Sequence, residues 1–496
     1  MDAYARQEPA RPSSARAEAV RHAPLTHREA RLIVLGVLLP TFMGSLDQTI
    51  LANALPTIGR ELGDIHNLPW LITAYLLAAT AVMPLYGKIS DIHGRRFTLR
   101  IALLTYMAGS LVCALAPSLL VLIFGRALHG VGGGGLSSMG MVVLGDLVAP
   151  KERGRYYSYF AATYMTAGGA GPLLGGLISD HMHWSVIFWM NIPMGLAALA
   201  LTTALLRRLP RYDRPHHLDF LGAALIVVAS VSFMLALNMA GVRYAWTSLP
   251  ILALLAAALV VGALFVLRLM TAPEPLIPLS ILGNPIVRWA ILANACGWGA
   301  IIGLNVLLPM YLQGVMGLSP TAAGLSLMVF LVAMNGTAGL AGQVLGRVRH
   351  YKRLPMLMLS LATASVTALG VYADSLTPLT LELLLIGIGA GFGPVPSFTA
   401  VAMQNVVARH QLGISIGSMN FSRNLFATML IAVFGAMVLG GTPAGESLRG
   451  ELAASAGAGG FGRVFFAAAA SFAVAFIAIV LIEEKPLQTD SEAAAK

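Results

Sequence analysis

The chain has few charged residues for its length. Lys, Arg, Asp and Glu make up 11% of its 496 residues, and 57% of the residues are hydrophobic; soluble domains carry about 25% charged residues. This shortage excludes an ordinary soluble globular protein. The apolar segments do not alternate between polar and apolar positions, so the pattern of a membrane β-barrel is excluded as well. We therefore predict an all-α polytopic membrane protein, in which helices satisfy the backbone hydrogen bonds within lipid.

Cysteines and cofactor-binding motifs are also scarce. The two cysteines, Cys113 and Cys296, lie in apolar segments, so no disulfide framework is predicted. No G-x-x-x-x-G-K-[ST] loop occurs, and the G-x-G-x-x-G match at Gly130–Gly135 lies inside an apolar segment without a preceding strand. We predict no cofactor, no metal and no drive by ATP. An enzyme is not expected, since the sequence shows no cluster of nucleophiles or metal ligands.

Apolar segments of about 20 residues, the length that crosses a bilayer, recur along the chain. They predict fourteen membrane helices, at 33–54, 70–87, 99–116, 118–145, 157–179, 185–206, 219–240, 250–270, 288–312, 321–345, 354–373, 377–404, 413–440 and 464–482. Most Lys and Arg residues lie in the even-numbered connections, which places those connections and both termini in the cytoplasm. The same topogenic role explains the net charge of +10, so nucleic-acid binding is not predicted.

The predicted helices group as six, two and six. Two six-helix halves that face each other are typical of transporters that bind substrate near the membrane midplane. The expected domains are a disordered cytoplasmic tail (1–31), an N-terminal bundle (32–208), an inserted two-helix linker (209–285), a C-terminal bundle (286–484) and a cytoplasmic tail (485–496).

A carboxylate lies inside the first predicted helix. An ionised Asp at the bilayer centre costs roughly 2.5–3.5 kcal/mol, so Asp47 needs a partner or a function. Arg126 in the fourth helix lies at a matching depth, counted at roughly 1.5 Å per residue, and His129 shares its helix face. We predict that Asp47, Arg126 and His129 form a proton-coupling site. A permanent structural ion pair with a packed histidine is the alternative.

The first cytoplasmic loop has a distinctive spacing of glycines and charges. It reads Gly87-Lys-Ile-Ser-Asp91-Ile-His-Gly94-Arg95-Arg96. The positive-inside bias explains the arginines but not the spacing. Glycines permit close helix approach and a tight turn, and Asp91 can hold the N-terminus of a neighbouring helix or an Arg. We predict that these residues form a gating loop, which latches the two halves and opens when they rock.

Further candidates lie on the fifth helix and in the expected cavity. Gly171 and Pro172, followed by Gly175 and Gly176, predict either a static kink with close packing or a bending point. Glu382 is either a second carboxylate for cations or an interfacial residue, and Arg423 either lines the cavity or pairs with a carbonyl. The predicted cavity residues are Tyr75, Asn294, Trp298, Asn305, Tyr311, Glu382 and Arg423. A largely apolar cavity with few polar groups suits amphipathic organic molecules.

Several of these stretches together resemble the major facilitator superfamily and, within it, the fourteen-helix drug:proton antiporters. Besides the gating loop they are Leu46–Pro56, Phe124–Gly130, Gly168–Gly176 and Trp184–Gly195. Two departures stand out. His129 occupies a position where the family usually has Gln, and the second-half counterpart of the gating loop, Gly342–Arg349, has no Asp. We therefore expect only the first-half latch to be strong.

The resemblance implies a proton-coupled exporter of amphipathic drugs or related lipophilic compounds that works by alternating access. A dedicated exporter of one metabolite or lipid on the same fold is the main alternative, and a membrane-embedded enzyme is the alternative of a different class. We expect an integral protein of a bacterial inner membrane, monomeric, whose partners are its substrate, protons and the bilayer. A periplasmic adaptor protein is a further partner hypothesis.

Overall fold

The computed structural model describes residues 27–63, 67–206, 218–345, 348, 350–439 and 457–487. Its described part consists of helices and short connections, so the predicted all-α fold is confirmed. The long helical segments are α1 (His27–Leu62), α2 (Trp70–His93), α3 (Arg95–Ala114), α4 (Leu119–Leu147), α5 (Pro150–His181), α6 (Val186–Leu205), α7 (Phe220–Met239), α8 (Leu249–Thr271), α9 (Pro285–Gly314), α10 (Pro320–Leu345), α11 (Arg353–Val371), α12 (Pro378–Val406), α13 (Leu412–Leu439) and α14 (Gly457–Leu481).

Thirteen helices in the described ranges are long and apolar enough to cross a membrane. The fourteenth long helix, α5, falls outside that set because the charge-free stretch after its first turns is rich in Gly, Tyr, Thr and Ser, which lowers its mean hydropathy. Two predicted helices are interrupted: α6 breaks at Met190, and α12 breaks at Gly393 just before Pro394.

Helix α1 is longer than predicted at both ends. It runs through Pro40 and Pro56 and continues to Leu62, although the apolar segment ends near residue 54. Hydropathy identifies only the part of a helix that lies in lipid, whereas hydrogen bonding extends the helix into polar sequence. The predicted tail 1–31 therefore overlaps the start of α1, and its first 26 residues lie outside the described residues. The other domain boundaries stay predictions.

The helices form two halves that meet through two helix pairs. Within the halves, α1 packs on α5, α4 on α2 and α3, and α9 on α13 and α14. Between the halves, α2 packs on α13 and α5 packs on α10. The added pair lies beside this arrangement: α7 contacts α2 and α13, whereas α8 packs mainly on α7 and is largely exposed. Asp219 caps α7 by accepting a hydrogen bond from the Gly222 amide at 3.0 Å.

The two halves are closed at one end only. We call this end, where α2 turns into α3 at Gly94, the α2–α3 end. Among the described residues, the hydrogen bonds between the halves lie from this end to mid-depth, the deepest from Asn424 to the Thr80 hydroxyl (3.2 Å). Farther along α5 and α10, Gly168 and Gly324 have nothing within 4 Å of a hypothetical Cβ. Toward the opposite end, no hydrogen bond joins the two halves among the described residues.

Candidate functional site

A buried ion pair joins α1 and α4 in the N-terminal half. Arg126 Nη1 donates to both carboxylate oxygens of Asp47, at 3.0 and 2.7 Å. The two side chains are 2% and 0% exposed, so neither reaches solvent in this conformation. The expected Asp47–Arg126 contact is therefore present. In so dry a setting each charge depends on the other, because an unpaired buried ion is strongly unfavourable.

The guanidinium of Arg126 has two further anchors, both on α2. Its Nε donates to the Leu71 carbonyl at 3.0 Å, and its central carbon lies 4.4 Å from the centre of the Tyr75 ring. Tyr75 was expected in the substrate cavity, but its ring packs against this arginine and its side chain is buried. These contacts hold Arg126 in place independently of the Asp47 charge.

His129 takes part in the cluster as a hydrogen-bond acceptor. Its Nδ1 lies 3.1 Å from Arg126 Nη1. Since a guanidinium only donates hydrogen bonds, Nδ1 must be unprotonated and the ring proton lies on Nε2. Nε2 is buried and has no hydrogen-bond partner among the described residues. The centres of the His129 and Tyr106 rings lie 3.9 Å apart. In this conformation His129 is thus a neutral support for Arg126; its titration during transport stays a prediction.

The Asp91 carboxylate closes the α2–α13 contact. It accepts hydrogen bonds from the backbone amides of Gly413 (2.9 Å) and Ile414 (2.8 Å), in the first turn of α13. A carboxylate is favoured there because the first amides of a helix lack intrahelical partners and carry partial positive charge. Gly87 allows the approach: a Cβ on it would collide with the Gly413 carbonyl.

Arg95 ties this contact to the rest of the loop. It donates to Asp91 (2.5 Å), to Asp146 at the end of α4 (2.6 Å) and to the Arg409 carbonyl (3.1 Å). Gly94 makes the turn with φ +84°, a conformation that side-chain-bearing residues rarely adopt. Arg96, the neighbouring arginine, is half-buried. The structure therefore brings the predicted gating residues together with a carboxylate, Asp146, that the spacing did not indicate.

The glycines of α5 serve the contact with α1. A Cβ on Gly171 would collide with the Thr49 hydroxyl, and one on Gly175 with the Ile50 carbonyl, whereas Gly176 faces open space. Thr49 also donates to the Ala167 carbonyl at 3.2 Å. Helix α5 continues through the exposed Pro172. The static kink and the bending point at Pro172 both stay predictions.

Two predicted cavity residues meet in the C-terminal half. The Arg423 guanidinium lies 5.4 Å from the centre of the Trp298 ring, which itself packs edge-on against Phe392. Arg423 Nε also donates to the side-chain oxygen of Asn424 at 3.2 Å. Arg423 therefore pairs with an amide and an aromatic ring rather than with a backbone carbonyl.

The remaining cavity candidates have partners within their own half. Asn294 donates to the Thr399 hydroxyl (3.1 Å), and Asn305 donates to the Ile301 carbonyl of its own helix (3.0 Å). The Tyr311 hydroxyl donates to the Ala373 carbonyl at 2.6 Å, and its ring packs against two phenylalanines of α14. The Glu382 carboxyl lies 2.5 Å from the Ser326 hydroxyl. In this conformation none of these four contacts joins the two halves.

Arg153 is a buried interface residue that sequence reasoning missed. The positive-inside bias explains an arginine at this end without any specific contact. The Arg153 side chain, however, is only 3% exposed. It donates to the carbonyls of Gly145 (2.5 Å) and Val148 (2.7 Å), and across the interface to that of Gln404 (3.3 Å). The Gln404 side chain in turn donates to the Tyr157 hydroxyl at 3.0 Å. The basic stretch Pro150–Arg155 at the start of α5 was the available signal, but it does not reveal burial.

Comparison with known proteins identifies the family. A model of the Major Facilitator Superfamily matches residues 37–430. The chain is 31% identical over 410 residues to the multidrug transporter protein MdtP of Bacillus subtilis, covering 82% of this chain and 75% of the relative. It is 30% identical over 412 residues to multidrug resistance protein 3 of the same organism, covering 82% and 79%.

The fold resembles a solved structure of the same superfamily. The proton:xylose symporter XylE, bound to 6-bromo-6-deoxy-D-glucose, aligns with a TM-score of 0.64 at 14% identity, covering 95% of this chain and 99% of the symporter. At that identity the likeness concerns the fold alone.

Proposed function

The chain belongs to the major facilitator superfamily, and we propose that it is a proton-coupled antiporter that exports amphipathic drugs or related lipophilic compounds by alternating access. Membership in a family of membrane transporters, and relatives named as multidrug transporters at about 30% identity, support export of small molecules. The observation that carries the proton-coupling step is the dry Asp47–Arg126 pair within the N-terminal half. A carboxylate inside a membrane bundle is a functional-site hypothesis by default.

We place the protein in a bacterial inner membrane with the α2–α3 end in the cytoplasm. The basic residues of the even-numbered connections support this orientation. The conformation described above is then outward-facing, closed at the cytoplasmic end by the Asp91 and Arg153 contacts. Monomeric action and a periplasmic adaptor stay predictions from the sequence.

The proposed coupling works through the charge of Asp47. In the proposed step the pair first opens to the outside, and a proton then neutralises this carboxylate and removes the attraction that holds it to Arg126 Nη1. Arg126 keeps its contacts with Leu71 and Tyr75, so α1 rather than α4 is released. Since α1 packs along α5, its movement reaches the α5–α10 contact between the halves. Loss of the proton to the cytoplasm in the inward-facing state restores the pair.

The test is export in proteoliposomes with and without an imposed pH gradient. Asp47→Asn should abolish gradient-driven transport yet keep downhill exchange of substrate, since it removes the titrating group and little volume. Glu382→Gln, the matched change of another membrane carboxylate, should retain gradient-driven transport. Full gradient-driven transport by Asp47→Asn would contradict the proposal, and its loss in Glu382→Gln alone would transfer the role to Glu382. Arg126→Ala is less informative, because leaving a buried carboxylate unpaired costs about 3–5 kcal/mol.

A further inference from the structure

Arg423 is a membrane-embedded cation without a carboxylate partner. It lies near the middle of α13, and among the described residues no acidic side chain is within ion-pair distance of it. Its Nε donates to Asn424, whereas its two terminal nitrogens make no hydrogen bond to a described residue. Arg126, which lies farther from the α2–α3 end in the other half, has its carboxylate. Arg126 therefore has an anionic partner within the protein, whereas Arg423 has none among the described residues.

The surroundings of Arg423 lie between the two halves. On either side of it along α13, Asn420 donates to the Ser138 hydroxyl of α4 (3.4 Å) and Asn424 to the Thr80 hydroxyl of α2 (3.2 Å). Tyr164 of α5, which is 37% exposed, is close enough to interact electrostatically with the guanidinium. The arginine thus lies at the interface between the two halves, with Tyr164 of α5 nearby.

Two chemical features of this place select a ligand. A guanidinium presents a planar fork of donors that matches a carboxylate or sulfonate through two parallel hydrogen bonds. The Trp298 ring, whose centre lies 5.4 Å from the guanidinium, supplies an aromatic surface beside it. Aromatic rings pack against such surfaces favourably. The site therefore offers an anion partner next to an aromatic ring.

We propose that Arg423 and Trp298 form an anion-recognition site of the transport cavity, so that the preferred cargo is an aromatic or amphipathic compound carrying a carboxylate or sulfonate. The proposal rests on the export function above and narrows its substrate class. The bound anion supplies the negative partner charge that Arg423 lacks among the described residues. The anion-recognition site lies in the C-terminal half and the proposed proton site in the N-terminal half, so the two sites are chemically separate.

The test compares two probes that differ by one group. 1-Anilinonaphthalene-8-sulfonate and N-phenyl-1-naphthylamine share the same ring system, and only the first carries a sulfonate. Equilibrium binding is measured by probe fluorescence on the protein in nanodiscs, with lipid-only nanodiscs subtracted and no proton gradient present. The unmutated protein should bind the sulfonate at least about tenfold tighter, as a charged hydrogen bond would provide. Equal affinities would overturn the proposal.

Three variants test the assignment to these residues. Arg423→Gln should remove the preference for the sulfonate and leave naphthylamine binding unchanged, Arg423→Lys should retain part of it, and Trp298→Leu should weaken both probes. If Arg423→Gln does not fold, the lysine variant and the unmutated protein still decide. An unchanged sulfonate preference in Arg423→Gln would show that the arginine is structural. Because binding needs no gradient, failure here leaves the proton-coupling test unaffected, and failure of proton coupling leaves this result standing.

Discussion

The two contacts that close the α2–α3 end achieve the same closure with opposite chemistry. At the α2–α13 contact, an acid meets the beginning of a helix: the Asp91 carboxylate accepts hydrogen bonds from the first amides of α13. At the other contact, a base meets the ends of helices: the Arg153 guanidinium donates to carbonyls at the end of α4 and of α12. Each charge complements the partial charge of the helix end that it meets.

The second-half counterpart of the gating loop has no Asp, and the contact beside it is made by other residues. Where α5 meets α10, Gly154 and Gly342 bring the two backbones together, and a Cβ on either would collide with the other's carbonyl. The closure there depends on close packing and on Arg153 from the first half. Arg347 and Arg349 of the second-half loop lie outside the described residues. Close glycine packing is common to both contacts, since Gly87 and Gly413 approach each other in the same way, and the two contacts differ in the charged group that accompanies it.

Removal of the Asp91 charge should have the largest effect on this closure. Asp91→Asn replaces an acceptor-only group by an amide whose NH₂ faces the donors of Gly413 and Arg95. We expect transport to fall by about tenfold or more, the cost of losing charged hydrogen bonds. Spin labels on cysteines at His93 and Arg409 should report an increased distance across this contact. The native cysteines are buried and should not react. Unchanged distances with normal transport would contradict the latch.

Adding a methyl group at the α5–α10 contact should be the next largest change. Gly342→Ala places a Cβ against the Gly154 carbonyl, so the helices must move apart. The matched control is Gly339→Ala, whose Cβ meets Ser158 at an ordinary 3.8 Å. Spin labels at Arg155 and Val344 should separate in the first variant only, with the α2–α13 distance unchanged. Equal behaviour of the two alanine variants would show that close backbone packing does not govern this contact.

The sequence predicts the helices and the gating residues of the α2–α3 end but not the residues that their charged side chains contact. The glycine and Asp91 spacing is visible because it is local, and the fourteen helices follow from apolar segments. Asp146 and Gln404 are not visible, because they meet Arg95 and Arg153 only after distant helices pack. Burial of an arginine is invisible as well: the positive-inside bias assigns Arg95 and Arg153 the same role as exposed Arg155, although both are nearly inaccessible.

The buried site shows the same division. Matching depths predict the Asp47–Arg126 contact, even though α1 extends well past the predicted end of the first helix. The tautomer of His129 follows only from its distance to Arg126, and the anchoring of Tyr75 on Arg126 requires α2 and α4 to pack side by side. Residue type and periodicity define which groups need partners, whereas tertiary packing decides which partners they receive.

Replacement of Arg153 by lysine should have an intermediate effect. Lysine keeps the positive charge but is a single-point donor, whereas Arg153 reaches three carbonyls on two helices. We expect a loss of a few fold in transport, about 1 kcal/mol for the hydrogen bonds no longer made. Arg155→Lys, at an exposed position two residues along, is the control and should have no effect. If both lysine variants behave alike, Arg153 acts only through its charge, and the comparison with Asp91 loses its geometric basis.

The smallest effect is expected from the segment that follows α14, which supports α12 behind the Arg153 contact. The Asn405 side chain, next to Gln404, donates to the Pro486 carbonyl at 3.0 Å, and the Tyr351 hydroxyl donates to the Lys485 carbonyl at 2.9 Å. Burial and the nearby Glu484 carboxylate raise the pKa of Tyr351 to about 12, so the hydroxyl remains a donor throughout the physiological pH range.

Tyr351→Phe removes that hydroxyl and keeps the ring packing against Phe398. Since one neutral hydrogen bond contributes about 1 kcal/mol, and it acts on the α5–α10 contact only through α12, we expect at most about a twofold change in transport. The Arg155–Val344 spin-label distance should broaden slightly, with the His93–Arg409 distance unchanged, and Tyr372→Phe at an exposed position should change neither. The terminal segment contacts α12 and Tyr351 but not the α2–α13 contact. A larger effect on the α2–α13 distance would therefore mean that the two closures are coupled rather than independent.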